Sequence, residues 1–153
     1  MILGLISDTH GLLCDSALRA MENSGLIIHA GDVGDPKILA ALENLAPIIA
    51  VRGNVDTGEW AAKLPLTAVV KAGALRIYVL HDVNELTVSS IPPGVSIIVS
   101  GHSHKPGQAS RGGILYINPG SAGPRRFNLP ITVARLDLER QPWAVEFIDV
   151  SKP

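Results

Sequence analysis

Residues 27–32, Ile27-Ile28-His29-Ala30-Gly31-Asp32, form an apolar run that ends in a glycine and a carboxylate. An apolar run of this length is typical of a buried strand, and the residue after such a strand in an open α/β sheet lies at the carboxyl edge, where ligands bind. Gly31 allows the backbone to turn there and an ion to come close. An isolated Gly-Asp pair is more often a simple turn, so the interpretation depends on the other strands of the chain.

Three other predicted strands end in the same kind of polar segment. The strands are Ile2 to Ser7, Ile48 to Arg52 and Val95 to Ser100, and the segments after them are Asp8-Thr9-His10, Gly53-Asn54 and Gly101-His102-Ser103-His104. Ligands of α/β sheets bind outside the carboxyl ends of the strands, so we expect these segments to lie close together.

All five histidines of the chain lie at or beside the end of a predicted strand. Any one of them is more often a buried histidine with both ring nitrogens hydrogen-bonded than a metal ligand. The joint pattern favours metal ligation, because core histidines would be scattered along the sequence. Four histidines, two carboxylates and one amide form a nitrogen and oxygen donor set that suits Mn, Fe, Ni or Zn better than calcium. The members of the set are Asp8, His10, Asp32, Asn54, His81, His102 and His104.

Composition limits the class of protein. With 153 residues the chain has the length of one ordinary domain, residues 1–153, and its 46% hydrophobic content argues against disorder and leaves room for an apolar patch through which copies could form a homo-oligomer. The net charge of −1 provides no basic surface for nucleic acid. Cys14 is the single cysteine, which excludes an intramolecular disulfide and a cysteine-based zinc site.

The N-terminus favours a first strand over a signal peptide. No basic segment precedes the apolar residues, and the chain reaches an acid already at Asp8. No apolar run approaches the roughly 18 residues that a membrane span requires. We therefore expect a cytoplasmic protein with no membrane contact.

The first 54 residues predict a βαβαβ unit with parallel strands. A helix is expected over residues 15–24, where Gly25 ends it. A second helix begins after Asp35-Pro36, an N-cap followed by proline at the first helical position, and ends before Pro47. Residues 48–51 then form the third strand.

The rest of the chain predicts hairpins. The expected strands are 66–71 and 75–80 around Ala72-Gly73, a buried strand over 95–100, a hairpin turned by Arg111-Gly112-Gly113, and a last pair, 131–138 and 143–150, around Gln141-Pro142. A parallel half joined to this antiparallel half indicates an α/β fold, a four-layer α/β/β/α sandwich of two mixed sheets flanked by helices.

Taken together, these motifs resemble those of a known family. The series resembles that of the calcineurin-like metallophosphoesterases, in particular the small bacterial and archaeal YfcE-like phosphodiesterases, over nearly the whole chain. The matching segments are Asp8-x-His10, Gly31-Asp32, Gly53-Asn54-x-Asp56, His81, Gly101-His102-x-His104 and Asn118-Pro119-Gly120-Ser121. Each pair alone is weak, whereas the ordered set is specific.

The resemblance implies a metal-dependent phosphodiesterase that acts on a small phosphoester. The first of two divalent ions would be held by Asp8, His10, Asp32 and His104, and the second by Asp32, Asn54, His81 and His102, with Asp32 shared. Two such ions, roughly 3.5 to 4 Å apart, clamp a phosphoryl group and activate a shared water, and the hydroxide attacks phosphorus in line. Mn or Ni is favoured, with Fe, Zn and Mg as alternatives.

The sequence also departs from the family pattern. Many members have histidine after Gly-Asn, where it is assigned to leaving-group protonation, and here the residue is Val55. Asp56 is the nearest candidate acid, although an Asp in such a turn is more often structural. Asp82 follows His81 where the family usually has glycine, which affects the width or the charge of the pocket. The segment Ser121 to Arg125, Ser-x-x-Pro-Arg, is one residue shorter than the corresponding segment of the family. Arg125 or Arg126 is a candidate for contact with the substrate phosphate, and the alternative is that both arginines are solvated loop residues.

Three other classes of protein fit the sequence less well. A retromer subunit with the same fold and a degraded site is a non-catalytic scaffold, but all seven ligand positions are filled here. Metal-dependent amidohydrolases are typically longer (β/α)₈ barrels with an early histidine pair. No G-x-G-x-x-G follows the first strand, which excludes a dinucleotide-binding protein. The main alternative to an enzyme is therefore a metal-binding scaffold or interaction module on the same fold.

Overall fold

The computed structural model describes residues 1–152 and contains two mixed five-stranded sheets. The strands are β1 (Ile2–Ile6), β2 (Leu26–His29), β3 (Ile48–Ala50), β4 (Thr67–Ala72), β5 (Leu75–Leu80), β6 (Val95–Val99), β7 (Gly107–Arg111), β8 (Ile114–Asn118), β9 (Thr132–Asp137) and β10 (Val145–Asp149). The first sheet has the order β10-β9-β1-β2-β3 and the second the order β4-β5-β6-β8-β7. The predicted α/β fold with two mixed sheets is confirmed.

The N-terminal βαβαβ unit is confirmed, with β1, β2 and β3 paired in parallel. Helix α2 (Pro36–Glu43) begins as predicted, because the Asp35 carboxylate accepts the Lys37 N–H at 2.9 Å and caps the helix. Helix α1 (Asp15–Ala20) is four residues shorter than predicted. Asn23 has φ of 63°, a left-handed conformation that ends the helix before Gly25 is reached.

The predicted hairpins β4-β5, β7-β8 and β9-β10 are confirmed, but the second half of the chain is not antiparallel throughout. Strand β5 pairs with β6, and β6 with β8, in parallel. The 14-residue connection over residues 81–94 makes the crossover with two 3-10 turns, Val83–Glu85 and Val88–Ser90, in place of a long helix. The last hairpin, β9 and β10, does not join the second sheet, because β9 pairs antiparallel with β1.

The core follows the alternation of side chains along the strands. Leu5 of β1 and Ile28 of β2 point between the sheets, where they meet Val79 and Ile97 of the second sheet. Ile6 and other alternate residues point to the opposite face, where they pack under α1 and α2 together with α3 (Glu59–Ala62). The outer face of the second sheet is covered instead by residues that flank the two 3-10 turns. The fourth layer is therefore much thinner than the first.

The two sheets present their carboxyl edges at the same end of the sandwich. The loop after β1 is hydrogen-bonded to the loop after β2 through Asp8 N and Gly31 O at 3.0 Å, and the loop after β6 to that after β5 through Gly101 N and His81 O at 2.9 Å. All the predicted ligand segments follow strands that end there. None of the helices in residues 1–152 has the length and apolar character of a membrane span.

Candidate metal centre

Five of the seven predicted ligands have a positive φ. The values are 54° for Asp8, 47° for His10, 54° for Asp32, 70° for His102 and 63° for His104. A left-handed conformation is uncommon for residues other than glycine and costs on the order of 1–3 kcal/mol each, so it persists where the surrounding structure enforces it. Here the turns direct the side chains that follow β1, β2 and β6 into one site.

The first trio consists of Asp8, His10 and His104, whose ligand atoms lie within 4.8 Å of one another. His10 Nε2 and His104 Nε2 are 3.3 Å apart, and Asp8 Oδ1 lies 3.7 Å from the former and 3.4 Å from the latter. His10 and His104 come from different sheets, so the trio spans the interface between them.

Asp8 is held by one carboxylate oxygen and leaves the other free for a cation. Its Oδ2 accepts the Ser7 hydroxyl at 2.8 Å and the His102 N–H at 3.0 Å. Its Oδ1 is buried and has no hydrogen-bond partner among the described residues. Since buried polar atoms are almost always satisfied, an oxygen of this kind facing imidazole nitrogens fits a divalent metal.

The second trio consists of Asp32, His81 and His102, again with ligand atoms within 4.8 Å. Asp32 Oδ2 lies 3.1 Å from His81 Nε2, and His102 Nδ1 lies 3.3 Å from the same nitrogen. The Nδ1–H of His81 donates to the Ala30 carbonyl at 2.8 Å, which directs Nε2 into the site. The Val55 N–H donates to Asp32 Oδ1 at 2.9 Å and fixes the carboxylate.

Asp32 lies between the two trios. Its Oδ2 is 3.1 Å from His81 of the second trio and 3.7 Å from His10 of the first. Asn54 borders a cavity of about 150 Å³ that His81 and His102 also line. The structure thus places six of the seven sequence-predicted ligands in two neighbouring trios and the seventh, Asn54, at the cavity beside the second trio.

In the metal-free protein, the side chains of the site favour a charged Asp32 and a charged His81. Burial alone would lower the pKa of His81, but the hydrogen bonds to Asp32 and the Ala30 carbonyl and the charges of Asp32 and Asp8 raise it to about 9. Burial opposes the charge of Asp32, yet its hydrogen bonds with His81 and Val55 hold its pKa below the usual range. Burial lowers the pKa of His104, although Asp8 opposes that effect. A cluster of perturbed groups in one cleft is typical of a functional site.

The glycines in the ligand motifs have a steric reason. A Cβ at Gly101 would collide with the Ser7 hydroxyl and come within 2.6 Å of Asp8 Oδ2. A Cβ at Gly53 would overlap the backbone and carboxylate of Asp32. Larger residues at either position would displace a carboxylate of the site, which explains why glycine precedes the ligand in these segments.

Asp56, the candidate acid, is engaged elsewhere. The side chain is buried, and its carboxylate accepts the N–H groups of Gly53 at 2.9 Å, Gly34 at 2.9 Å and Val33 at 3.2 Å. Both oxygens therefore tie the loop after β3 to the loop after β2. This geometry favours the structural alternative over the acid.

His29 and Ser121 support the site without facing it, and sequence reasoning assigned neither a role. The Gly31 N–H donates to His29 Nδ1 at 3.1 Å, so His29 Nε2 carries the hydrogen and donates to Thr9 Oγ1 at 3.0 Å. The Ser121 hydroxyl donates to the Asp8 carbonyl at 3.0 Å. The motifs Ile28 to Asp32 and Asn118 to Ser121 mark these residues in the sequence, but their partners are distant in the chain.

The two candidate arginines differ in their surroundings. Arg126 adds its positive charge to the lowered pKa of His104, which results first from burial and then from His10. Arg125 adds its charge to the lowered pKa of Asp149, which results mainly from the hydrogen bonds of Ser151. A phosphate contact by Arg125 or Arg126 therefore stays a prediction.

Comparison with known proteins agrees with this geometry. Residues 1–141 match the calcineurin-like phosphoesterase superfamily domain. The chain is 31% identical to a probable metallophosphoesterase of Methanothermobacter thermautotrophicus, over 92% of this chain and 88% of that protein.

Two solved structures are similar to this chain in both fold and sequence. YfcE, a phosphoesterase from E. coli, has a TM-score of 0.74 and 25% identity over 99% of this chain and 94% of that one. An archaeal phosphodiesterase has a TM-score of 0.78 and 25% identity over 97% of this chain and 100% of that one. These findings confirm the resemblance drawn from the motifs. The chain belongs to the calcineurin-like phosphoesterase superfamily, and this membership implies a metal-dependent phosphoester hydrolase.

Proposed function

We propose that this protein is a phosphodiesterase that uses the two trios as a dinuclear metal centre. Asp8, His10, Asp32 and His104 hold the first ion, and Asp32, Asn54, His81 and His102 hold the second. The proposal rests on one observation above all, the position of Asp32 Oδ2 between His81 at 3.1 Å and His10 at 3.7 Å. A carboxylate in that position is suited to serve two ions at once.

The chemistry of the donor set supports this assignment. Two divalent ions supply, when bound, Lewis-acid polarisation of a phosphoryl oxygen and a lowered pKa for water. The donor set contributes imidazoles, one amide and only two carboxylates, Asp8 and Asp32. Because a third carboxylate is replaced by the neutral Asn54, the loaded site keeps an excess of positive charge, which suits an anionic phosphodiester. Mn or Ni is the expected pair, since both accept this mixture of nitrogen and oxygen ligands.

The chain's own residues then determine how the substrate binds. Asn54, His81 and His102 line the cavity beside the second trio, which is open to solvent at His102, where 43% of the side chain is exposed. Arg126 places a further positive charge on the His104 side. We assign Arg126 to the binding of a phosphate oxygen.

A metal analysis followed by a substrate screen tests the proposal. Protein purified without chelator should contain about two divalent ions per chain, and Mn or Ni should support hydrolysis of a phosphodiester faster than of the matching monoester. The control is protein treated with a chelator and tested before and after each metal is restored. Full metal loading without hydrolysis of either ester class would favour the scaffold alternative.

A further inference from the structure

Asp82 occupies the position where the resembling family usually has glycine, directly after His81. Its Oδ2 lies 3.7 Å from His102 Nε2, within ion-pair distance. Its Oδ1 accepts the Asn84 N–H at 3.0 Å, which caps the 3-10 turn Val83–Glu85. The carboxylate is thus anchored on one side and faces a ligand imidazole on the other.

His102 is the ligand histidine with the greatest need of orientation. Its side chain is 43% exposed, whereas those of His81 and His104 are 8% exposed. The Ala30 carbonyl fixes the ring of His81. For His102, the described residues provide His81 on the Nδ1 side and Asp82 on the Nε2 side.

We propose that Asp82 is a positioning residue that orients His102 and sets its tautomer for the second ion. A carboxylate beside Nε2 favours the tautomer with the hydrogen on Nε2, which leaves the Nδ1 lone pair directed towards the second trio. The inference rests on the proposed function, because it presupposes an ion at that trio. It assigns to this chain an orienting carboxylate in place of the glycine of the resembling family.

The test compares Asp82→Asn with Glu85→Gln. Asparagine retains the N-cap and the volume, but with its oxygen on Asn84 it presents an amide N–H₂ to His102. Glu85 borders the same cavity, and among residues 1–152 it makes no ion pair with a histidine, so Glu85→Gln removes the same charge without the contact. Calorimetric titration of metal-free protein with Mn should show the second ion bound about 10–100-fold more weakly by Asp82→Asn. The first ion should be unaffected, and Glu85→Gln should match the wild type.

Nitrogen-15 NMR of the histidine rings provides a readout that does not depend on activity. Wild-type metal-free protein should show His102 with hydrogen on Nε2, and Asp82→Asn should lose that preference. Equal weakening in both variants, or an unchanged second affinity in Asp82→Asn, would overturn the inference while leaving the proposed function intact. A wild-type protein that binds both ions without hydrolysing a phosphodiester would overturn the proposed function, and the affinity and tautomer measurements would still decide the role of Asp82.

Discussion

The two trios differ in how the protein holds them. In the first trio the Asp8 side chain is fully buried and that of His104 is 8% exposed, and the Ser7 hydroxyl and the His102 N–H fix the carboxylate. In the second trio Asp32 and His81 are also buried, and only the His102 side chain, 43% exposed, lies at a cavity open to solvent.

This difference in exposure indicates that the two trios have different roles within one site. A buried, hydrogen-bonded set of donors is preorganised, so little conformational entropy is lost when an ion binds. An exposed donor gives substrate access at the cost of that preorganisation. We therefore expect the first trio to bind its ion more tightly and the second to contact the substrate.

The largest effect is expected from Asp32→Asn, which removes the carboxylate that faces His81 of the second trio and His10 of the first. Both ions should be lost, because each depends on its charge, and phosphodiesterase activity should fall by roughly 10³-fold, since metal stabilisation of the transition state is worth several kcal/mol. Metal analysis and steady-state rates measure this. Asp35→Asn, which changes a helix cap away from the site, is the control. Retention of two ions by Asp32→Asn would contradict the shared assignment.

The next effect separates the trios. His104→Ala should weaken binding of the first ion, and His102→Ala binding of the second, each by more than about 100-fold. Each variant removes a direct ligand, and the loss of a residue that only orients a ligand already lowers metal affinity by about 10–100-fold. The two side chains come from positions i and i+2 but join different trios. Stepwise metal titration of each variant gives the two affinities. Equal loss of both ions in both variants would mean that the pair has been misassigned.

The dependence of the hydrolysis rate on the leaving group tests whether the site contains a general acid. Val55 is 44% exposed beside Asp32, and Asp56 is occupied by three backbone N–H groups, so neither supplies an acid. Aryl diesters with stable leaving groups should therefore react much faster than alkyl diesters. Val55→His should raise alkyl diester rates by up to about 10²-fold, the lower range for general acid catalysis.

Rates for diesters graded by leaving-group pKa provide the measurement, with Val55→Gln as a polar control that cannot act as an acid. A flat dependence for the unmodified protein would show that an acid is already present in the site.

The last effect is on the free energy of unfolding and concerns His29, whose hydrogen bonds to Gly31 and Thr9 support the site. Burial lowers the pKa of His29 from 6.5 to about 4, against the opposing charges of Asp8 and Asp56. The unfolded chain binds a proton below pH 6.5 that the folded protein resists, so stability present above pH 6.5 is lost as the pH falls to about 4, by about 3 kcal/mol in total. Urea unfolding with chelator should show the advantage of wild type over His29→Gln shrinking by that amount. A difference in unfolding free energy between wild type and His29→Gln that stays constant from pH 6.5 to about 4 would show that His29 is not held neutral in the folded protein.

The parts of this structure that depend on local sequence patterns could be predicted from the sequence. Apolar runs that end in polar segments predicted the strands, and the residues after those runs lie in the two trios or, in the case of Asn54, at the cavity beside the second trio, while their role as ligands stays a prediction. Asp35-Pro36 identified the start of α2. These features depend on residues within one turn or one strand of each other.

Features set by distant partners could not be predicted in this way. The parallel β5-β6 pairing depends on a crossover without helical periodicity, and the β9-β1 pairing joins the two ends of the chain. The role of Asp56 results from contacts between two loops that are distant in the sequence. Arg125 and Arg126 are adjacent on an exposed loop, where the sequence does not determine which side chain faces the site.

The central claim, two ions flanking Asp32, is tested most directly by anomalous X-ray diffraction from crystals grown with Mn. We expect two anomalous peaks roughly 3.5 to 4 Å apart, one beside Asp8, His10 and His104 and one beside His81 and His102, with the Asp32 carboxylate between them. A single peak, or two peaks of which one lies away from Asp32, would contradict it.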